Sequence, residues 1–142
     1  MIMKKYLIVL FFISVFTSGF AQTVTGKWYT VDDNNNKKSI VEIYQKDNKI
    51  FGKIIELVND EDKGKLCDKC EGKDFNKPIE GLNILSGLTK DGDEWNGGKI
   101  LDPENGKVYK CYITLESKDK LKLRGYIGFS LIGRTEYWYR EQ

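Results

Sequence analysis

The sequence predicts an all-β protein: a single small antiparallel up-and-down β-barrel that follows an N-terminal signal peptide. Beyond residue 21 the chain contains no alanine and no methionine, which both favour helices, and it is rich in glycine, isoleucine and tyrosine. Apolar and polar residues alternate along several short segments, as they do in strands with one buried face. Turns rich in Asn, Asp and Gly separate these segments, so neighbouring strands are joined locally.

Residues 1–21 have the build of a secretory signal peptide. Lys4 and Lys5 precede the apolar run YLIVLFFISVF, and small residues follow up to Ala21. We expect cleavage before Gln22, which leaves a barrel domain over 22–142. An uncleaved membrane anchor is the alternative, but the apolar run is shorter than the span of about 20 residues that a bilayer requires. The sequence therefore predicts a periplasmic or secreted protein in an oxidising compartment.

The charge pattern narrows the classes of function. The formal net charge of +2 comes from the two leader lysines, so the remaining chain is neutral and nothing indicates a nucleic-acid partner. The chain has no histidine. This excludes Ser-His and Cys-His nucleophiles and histidine-ligated zinc. We therefore expect no enzyme, no metal and no cofactor.

The elements follow from the pattern in chain order. Asp32 to Asn36 is a polar turn, 46–49 is a second turn, and Gly52 marks a bulge or a close contact within a strand. The segment 59–78 is a long polar loop with little to bury, and 81–88 fits either a strand or a short helical turn. The predicted strands are 26–31, 38–45, 50–58, 95–101, 107–115, 120–127 and 133–140, with 81–88 as the uncertain one.

The segment 102–106 is the strongest turn. Pro103 suits a type I turn and Gly106 the left-handed position, so the flanking strands form a hairpin. On its second arm, apolar residues alternate with polar ones from Tyr109 to Leu115. About eight short strands in one domain must hide their edges, which a closed barrel or a sandwich achieves, and the local connections favour the barrel.

Two sets of residues resemble known families. Gly26-Lys27-Trp28 in the first strand, with Arg140 in the last, resembles the lipocalin and calycin signature, in which a late arginine packs on the tryptophan. Stacking of a guanidinium on an indole adds cation–π energy to packing, and this gives Gly26 and Arg140 structural roles.

The second resemblance covers most of the chain beyond the leader. It is carried by Trp95-x-Gly97-Gly98-x-Ile100-x-Asp102-Pro103, by Arg124-Gly125-Tyr126-Ile127-Gly128, and by Gly133-Arg134-Thr135-x-x-Trp138-x-Arg140. These motifs are similar to the exported bacterial family called domain of unknown function 2147. The resemblance implies a lipocalin-like barrel in the cell envelope. It implies little about activity, because the family has no established common function.

Cys67-Asp68-Lys69-Cys70 admits three interpretations. A thioredoxin-type redox motif needs a βαβ unit, which this charged loop lacks, and structural zinc needs four ligands. A local disulfide between Cys67 and Cys70 is favoured in an oxidising compartment. Cys111 lies on an apolar strand face, which predicts a buried free thiol.

The candidate binding residues lie near the C-terminus. If the last strand alternates regularly, Arg134, Glu136 and Trp138 share the inward face. An inward arginine beside an apolar cavity can hold a carboxylate or phosphate, although an internal Arg134–Glu136 pair is the alternative. The predicted ligand-binding residues are Arg134, Arg124, Tyr126, Trp138 and Trp28.

Three hypotheses of function follow. The first is a non-enzymatic binding module for a small amphipathic or lipid-like ligand. The second is an envelope interaction or stress protein with a filled barrel, whose working surface is the loop 59–78. The third is a hydrolase of envelope glycans that uses Asp91, Asp93 or Glu94, although these carboxylates lie in turn-like sequence and fit solvated turn residues better.

Overall fold

The computed structural model describes residues 23–142, and within this range the protein is an eight-stranded barrel. The signal peptide predicted over 1–21 lies outside the described residues. The remaining regular structure consists of two 3-10 turns, Asp60–Asp62 and Gly72–Asp74. The strands are β1 (Gly26–Val31), β2 (Lys37–Lys46), β3 (Lys49–Leu57), β4 (Asn83–Asp91), β5 (Glu94–Asp102), β6 (Lys107–Ser117), β7 (Lys120–Tyr126) and β8 (Gly133–Arg140).

Each strand pairs antiparallel with the next, and β1 pairs with β8 to close the barrel. The closing pairs are Trp28 with Arg140 and Tyr29 with Tyr139. Closure leaves no exposed sheet edge, which confirms the all-β, up-and-down prediction. The uncertain segment 81–88 lies mostly in β4, and the register shifts on both sides of Gly52, where a bulge or close contact was predicted.

The up-and-down topology gives the barrel two different ends. The turns after β2, β4 and β6 lie at one end together with residues that precede β1 and follow β8. We call this the closed end. The turns after β1, β3, β5 and β7 lie at the other end, which we call the open end. Among residues 23–142 no helix is long and apolar enough to cross a membrane.

Large apolar side chains pack the half of the barrel next to the closed end. Alternation along each strand points one residue in two inward, and many of the inward positions in this half carry large apolar side chains. Burial of these side chains is the main favourable term for folding. The most completely buried of them are Trp28, Val41, Ile43, Ile50, Leu88, Ile113 and Leu121.

Trp28 occupies the centre of this packing. It is fully buried, its indole Nε1 donates a hydrogen bond to the Val24 carbonyl at 2.8 Å, and the Arg140 guanidinium carbon lies 4.1 Å from the ring centroid. Gly26 is required beside it, because its φ is +121° and a Cβ there would lie 2.9 Å from Nη1 of Arg140. The Gly-x-Trp sequence therefore makes room for the guanidinium that covers the tryptophan.

Arg140 also ties the ends of the chain together. Its guanidinium donates hydrogen bonds to the carbonyl oxygens of Thr25 at 2.8 Å, Thr23 at 2.9 Å and Lys118 at 3.0 Å. The fixed fork of guanidinium donors suits this arrangement, which lysine would not reproduce. One side chain thus joins the segment before β1, the turn after β6 and β8.

We expect Arg140→Ala to destabilise the barrel by about 2–4 kcal/mol, since it removes a cation–π contact and leaves several carbonyls without a donor. Urea unfolding followed by tryptophan fluorescence measures this loss. Arg134→Ala is the matched control, because Arg134 is 75% exposed in its side chain and should contribute less than about 1 kcal/mol. Equal losses in the two variants would contradict the role assigned to Arg140.

Candidate ligand-binding site

A cavity of about 520 Å³ occupies the half of the barrel next to the open end. The most completely buried side chains of the closed-end half, Trp28 among them, do not line it. Eight-stranded barrels are just wide enough to be filled or to hold one small ligand, and this barrel is filled at one end and hollow at the other. Its apolar lining includes Ile54, Leu57, Ile79, Ile84, Ile100, Leu101, Leu123 and Trp138.

The sequence keeps this half hollow by placing a small residue on the inner wall. Gly125 is paired with Cys111 and Arg134 across β6 and β8, and a Cβ at Gly125 would only reach Ile100 and Tyr109, at 3.6 and 3.7 Å. A larger side chain here would project toward Ile100 and fill part of the space. The cavity thus depends on which inward positions carry small side chains.

Trp138 is the deepest residue of β8 that lines the cavity, and it is 2% exposed. Its indole Nε1 is the one buried side-chain nitrogen or oxygen without a hydrogen-bond partner among the described residues. Buried donors are nearly always satisfied, so this one needs an acceptor. Thr30 and Ser39, which also line the cavity, satisfy each other at 2.7 Å.

Charged side chains surround the mouth of the cavity and are paired with one another. Lys65 donates to Asp62 at 2.6 Å, and this hydrogen bond lowers the pKa of the Asp62 carboxyl and raises that of the Lys65 ammonium. The nearby charge of Glu136 raises the pKa of Arg134, which forms an ion pair with it. The third pair joins Lys38 to Glu104.

The structure brings together three of the five predicted binding residues. Arg134 and Trp138 line the cavity from β8, as the alternation along that strand predicts, and Tyr126 lies at its rim. The ring of Tyr126 packs 6.4 Å from that of Tyr112. The Arg134–Glu136 pair, which the sequence offered as the alternative to ligand binding by Arg134, is also present, at the mouth.

The other two predicted binding residues lie elsewhere. The Arg124 guanidinium donates to the Ser130 carbonyl at 2.7 Å and to the Thr135 hydroxyl at 2.9 Å, and Arg124 does not line the cavity. Trp28 is buried in the closed-end packing. Arg124 therefore holds the turn between β7 and β8, and Trp28 supports the barrel from the end opposite the mouth.

The long loop between β3 and β4 forms one side of the mouth. Cys67 and Cys70 are bonded as a disulfide, and both are buried in the apolar core. The carbonyl of Lys69 lies where a Cβ of Gly106 would stand, so the loop packs directly on the turn between β5 and β6. The loop otherwise buries little, as expected, and the disulfide supplies its contact with the apolar core.

The free thiol of Cys111 lies in the barrel interior. Cys111 is 1% exposed, and burial raises its pKa to about 12. Burial disfavours the thiolate, which is the reactive form. Cys111 is therefore an inert packing residue.

The candidate glycosidase carboxylates lie far from the cavity mouth. Asp91 and Glu94 both accept hydrogen bonds from the Asn96 side-chain amide, at 3.1 and 2.7 Å, in the β4–β5 turn at the closed end. Asp91, Asp93 and Glu94 do not line the cavity. Within residues 23–142 no three Cys, Asp or Glu side chains cluster as metal ligands would.

Sequence reasoning missed the β7–β8 turn. Ile127 and Ile132 of this turn reach the cavity mouth, and several large apolar side chains of the turn are exposed. One signal was present in the sequence, because residues 125–133 contain no charge between Arg124 and Arg134 in a chain that is 31% charged. An uncharged segment of this kind either enters the core or forms an apolar surface.

The barrel, its single-ended cavity and the covered tryptophan define a lipocalin-like protein. Among solved structures the chain resembles protein HP1028 from the human pathogen Helicobacter pylori, which is described as belonging to the lipocalin family. The two share 25% sequence identity with a TM-score of 0.75, over 86% of this chain and 85% of that one. The chain belongs to the family DUF2147, described as an uncharacterized protein conserved in bacteria, whose model matches residues 26–140. No curated protein matches it.

The cysteine assignments predict a simple pattern of thiol reactivity. The native protein without reductant should show no thiol reactive toward a disulfide reagent such as dithionitrobenzoate, since the thiol of Cys111 is buried and neutral. Denaturation should release one thiol and added reductant three. Three reactive thiols without reductant would contradict the Cys67–Cys70 disulfide.

Proposed function

We propose that this protein is an exported, non-enzymatic binding module that holds a small amphipathic or lipid-like ligand in the cell envelope. The observation that carries the proposal is the cavity of about 520 Å³, apolar inside and open at one end of the barrel. This volume is typical of sites for small molecules, which lie between about 300 and 1,000 Å³.

The distribution of polar groups favours a ligand with an apolar body and a polar end. The inner wall is mainly aliphatic, whereas the charged pairs, including Arg134 with Glu136, are confined to the mouth. An apolar body in the wall region would release water from apolar surface, and a polar head at the mouth would stay hydrated. The head would compete with Glu136 for the exposed guanidinium of Arg134.

The unpaired indole of Trp138 adds a second requirement. An oxygen acceptor on the ligand body, such as an ester, ether or hydroxyl oxygen, would satisfy the buried Nε1 donor. A saturated hydrocarbon would leave this donor unpaired, at a cost of about 1–3 kcal/mol. We therefore expect a ligand whose apolar body carries at least one oxygen acceptor.

The location in the envelope rests on two features. The sequence of residues 1–21 predicts export, and the Cys67–Cys70 disulfide suits an oxidising compartment. Disulfides are rare in the reducing cytosol. In the envelope, the protein would have access to envelope lipids and their breakdown products.

Filling the cavity tests the proposal directly. We expect Ile100→Trp, which places an indole in the cavity, to weaken binding of the neutral fluorescent probe N-phenyl-1-naphthylamine by at least tenfold. Val108→Trp is the matched control, because Val108 is exposed and does not line the cavity. Fluorescence titration of the wild type and both variants measures the affinity. No binding to the wild type, or equal binding by Ile100→Trp, would favour the filled-barrel hypothesis.

A pair of charge variants tests the role of the mouth. Arg134→Ala should weaken binding of the anionic probe anilinonaphthalene sulfonate by about three- to tenfold and leave the neutral probe unaffected, because only the anion uses the guanidinium. Glu136→Gln should have the opposite effect, since it frees Arg134 from its partner. Parallel titrations with both probes provide the comparison. The same change for both probes would exclude a head-group role for Arg134.

A further inference from the structure

The turn between β7 and β8 presents the most apolar exposed surface of the described chain. Ile127, Phe129, Leu131 and Ile132 are 62, 61, 85 and 59% exposed. Single exposed apolar residues are ordinary. Four large ones within six residues form an apolar patch of the kind that marks an interaction site. Residues 81–89 are also uncharged, yet Leu82, Ile84, Leu85 and Leu88 of that segment are buried.

The apolar turn is held in shape by its own hydrogen bonds. Ile127 N–H donates to the Ile132 carbonyl at 3.1 Å, and Ile132 N–H donates to the Phe129 carbonyl at 3.1 Å. Arg124 adds its 2.7 Å bond to the Ser130 carbonyl. The backbone is thus fixed in a conformation that leaves all four apolar side chains largely exposed, although an apolar cavity lies beside them.

The chain on either side of the turn is rich in cations. From Lys122 to Thr135 it carries Lys122, Arg124 and Arg134 and no carboxylate, although Arg134 is paired with Glu136 at the mouth, whereas the chain beyond residue 21 is neutral as a whole. Lys110 adds a further cation, because it pairs with Tyr126 across the sheet. An apolar tip with cations behind it suits an interface where hydrocarbon lies beneath anionic head groups.

We propose that the β7–β8 turn, residues 127–132, inserts into the surface of an anionic phospholipid bilayer and so places the cavity mouth against the membrane. Ile127 and Ile132 line the mouth as well as belonging to the turn, so the inserted surface is continuous with the cavity. A ligand would then pass between bilayer and barrel without crossing water. A protein partner or a second copy of the chain is a different occupant, which the experiment separates.

The test is co-sedimentation of the full mature chain with vesicles of phosphatidylcholine mixed with phosphatidylglycerol. We expect binding that falls at least tenfold in the double variant Phe129→Ser and Leu131→Ser, and that weakens as salt is raised, because salt screens the cations. Phe75→Ser is the matched control, since Phe75 is also an aromatic residue, 55% exposed, in another loop. Unchanged thermal unfolding of the double variant shows that it folds.

Several results would overturn the proposal. One is that the wild type does not sediment with the mixed vesicles. Another is that the double variant binds the vesicles as strongly as the wild type does. Self-association without vesicles that the double variant abolishes would assign the turn to a second copy. Ile100→Trp should keep vesicle binding while it loses the cavity probe. If Ile100→Trp loses both vesicle binding and probe binding, the vesicle signal reports extraction of lipid into the cavity. The proposed insertion of the turn into the membrane would then be wrong.

Discussion

The stacking of Arg140 on Trp28 is the contact on which the rest of the barrel depends. It joins the first and last strands, which pair with each other only through two register positions, Trp28 with Arg140 and Tyr29 with Tyr139. Closure of a barrel requires the most distant strands in sequence to meet, and this long-range contact opposes the largest loss of chain entropy. The stacking of Arg140 on Trp28, together with the hydrogen bonds of Arg140, offsets this entropy loss at the junction between the first and last strands.

Concentrating the packing at the closed end has a consequence for the open end. Because the closed-end half supplies the continuous apolar core, the other half can leave space unfilled at a stability cost that the fold tolerates. The buried Cys67–Cys70 disulfide compensates in part, since it adds apolar contact and restrains the long loop that borders the mouth. The same loop packs on the turn at Gly106, so the mouth has a fixed outline.

Most of the architecture could be predicted from the sequence, because alternation and turn chemistry are local properties. The hairpin around Gly106 and the inward face of Arg134 and Trp138 follow from spacing alone. The position of the Arg124 side chain does not follow from the spacing. Its guanidinium donates to the Ser130 carbonyl in the β7–β8 turn, and the sequence pattern does not specify the conformation of that turn. Which half of the barrel is filled by side chains and which half stays hollow depends on the register between strands. A single sequence does not specify that register.

The Cys67–Cys70 disulfide was predicted, but its burial and the exposure of the apolar turn were missed, for a related reason. Charged neighbours made the segment 59–78 look fully solvated, and burial of Cys67 arises from its packing on another turn. The uncharged residues between the predicted strands 120–127 and 133–140 received no interpretation, and only their place at the open end shows that their side chains are left exposed. Local pattern predicts what a segment can become, and tertiary placement decides which of its side chains are covered.

Native mass spectrometry of the protein, gently purified from the envelope that produces it, shows whether the barrel cavity holds a ligand. We expect a population heavier than the bare chain by the mass of one small amphipathic molecule, which Ile100→Trp removes and Val108→Trp retains. A bare chain in all three proteins, together with a crystal structure in which side chains fill the open-end half, would contradict this expectation.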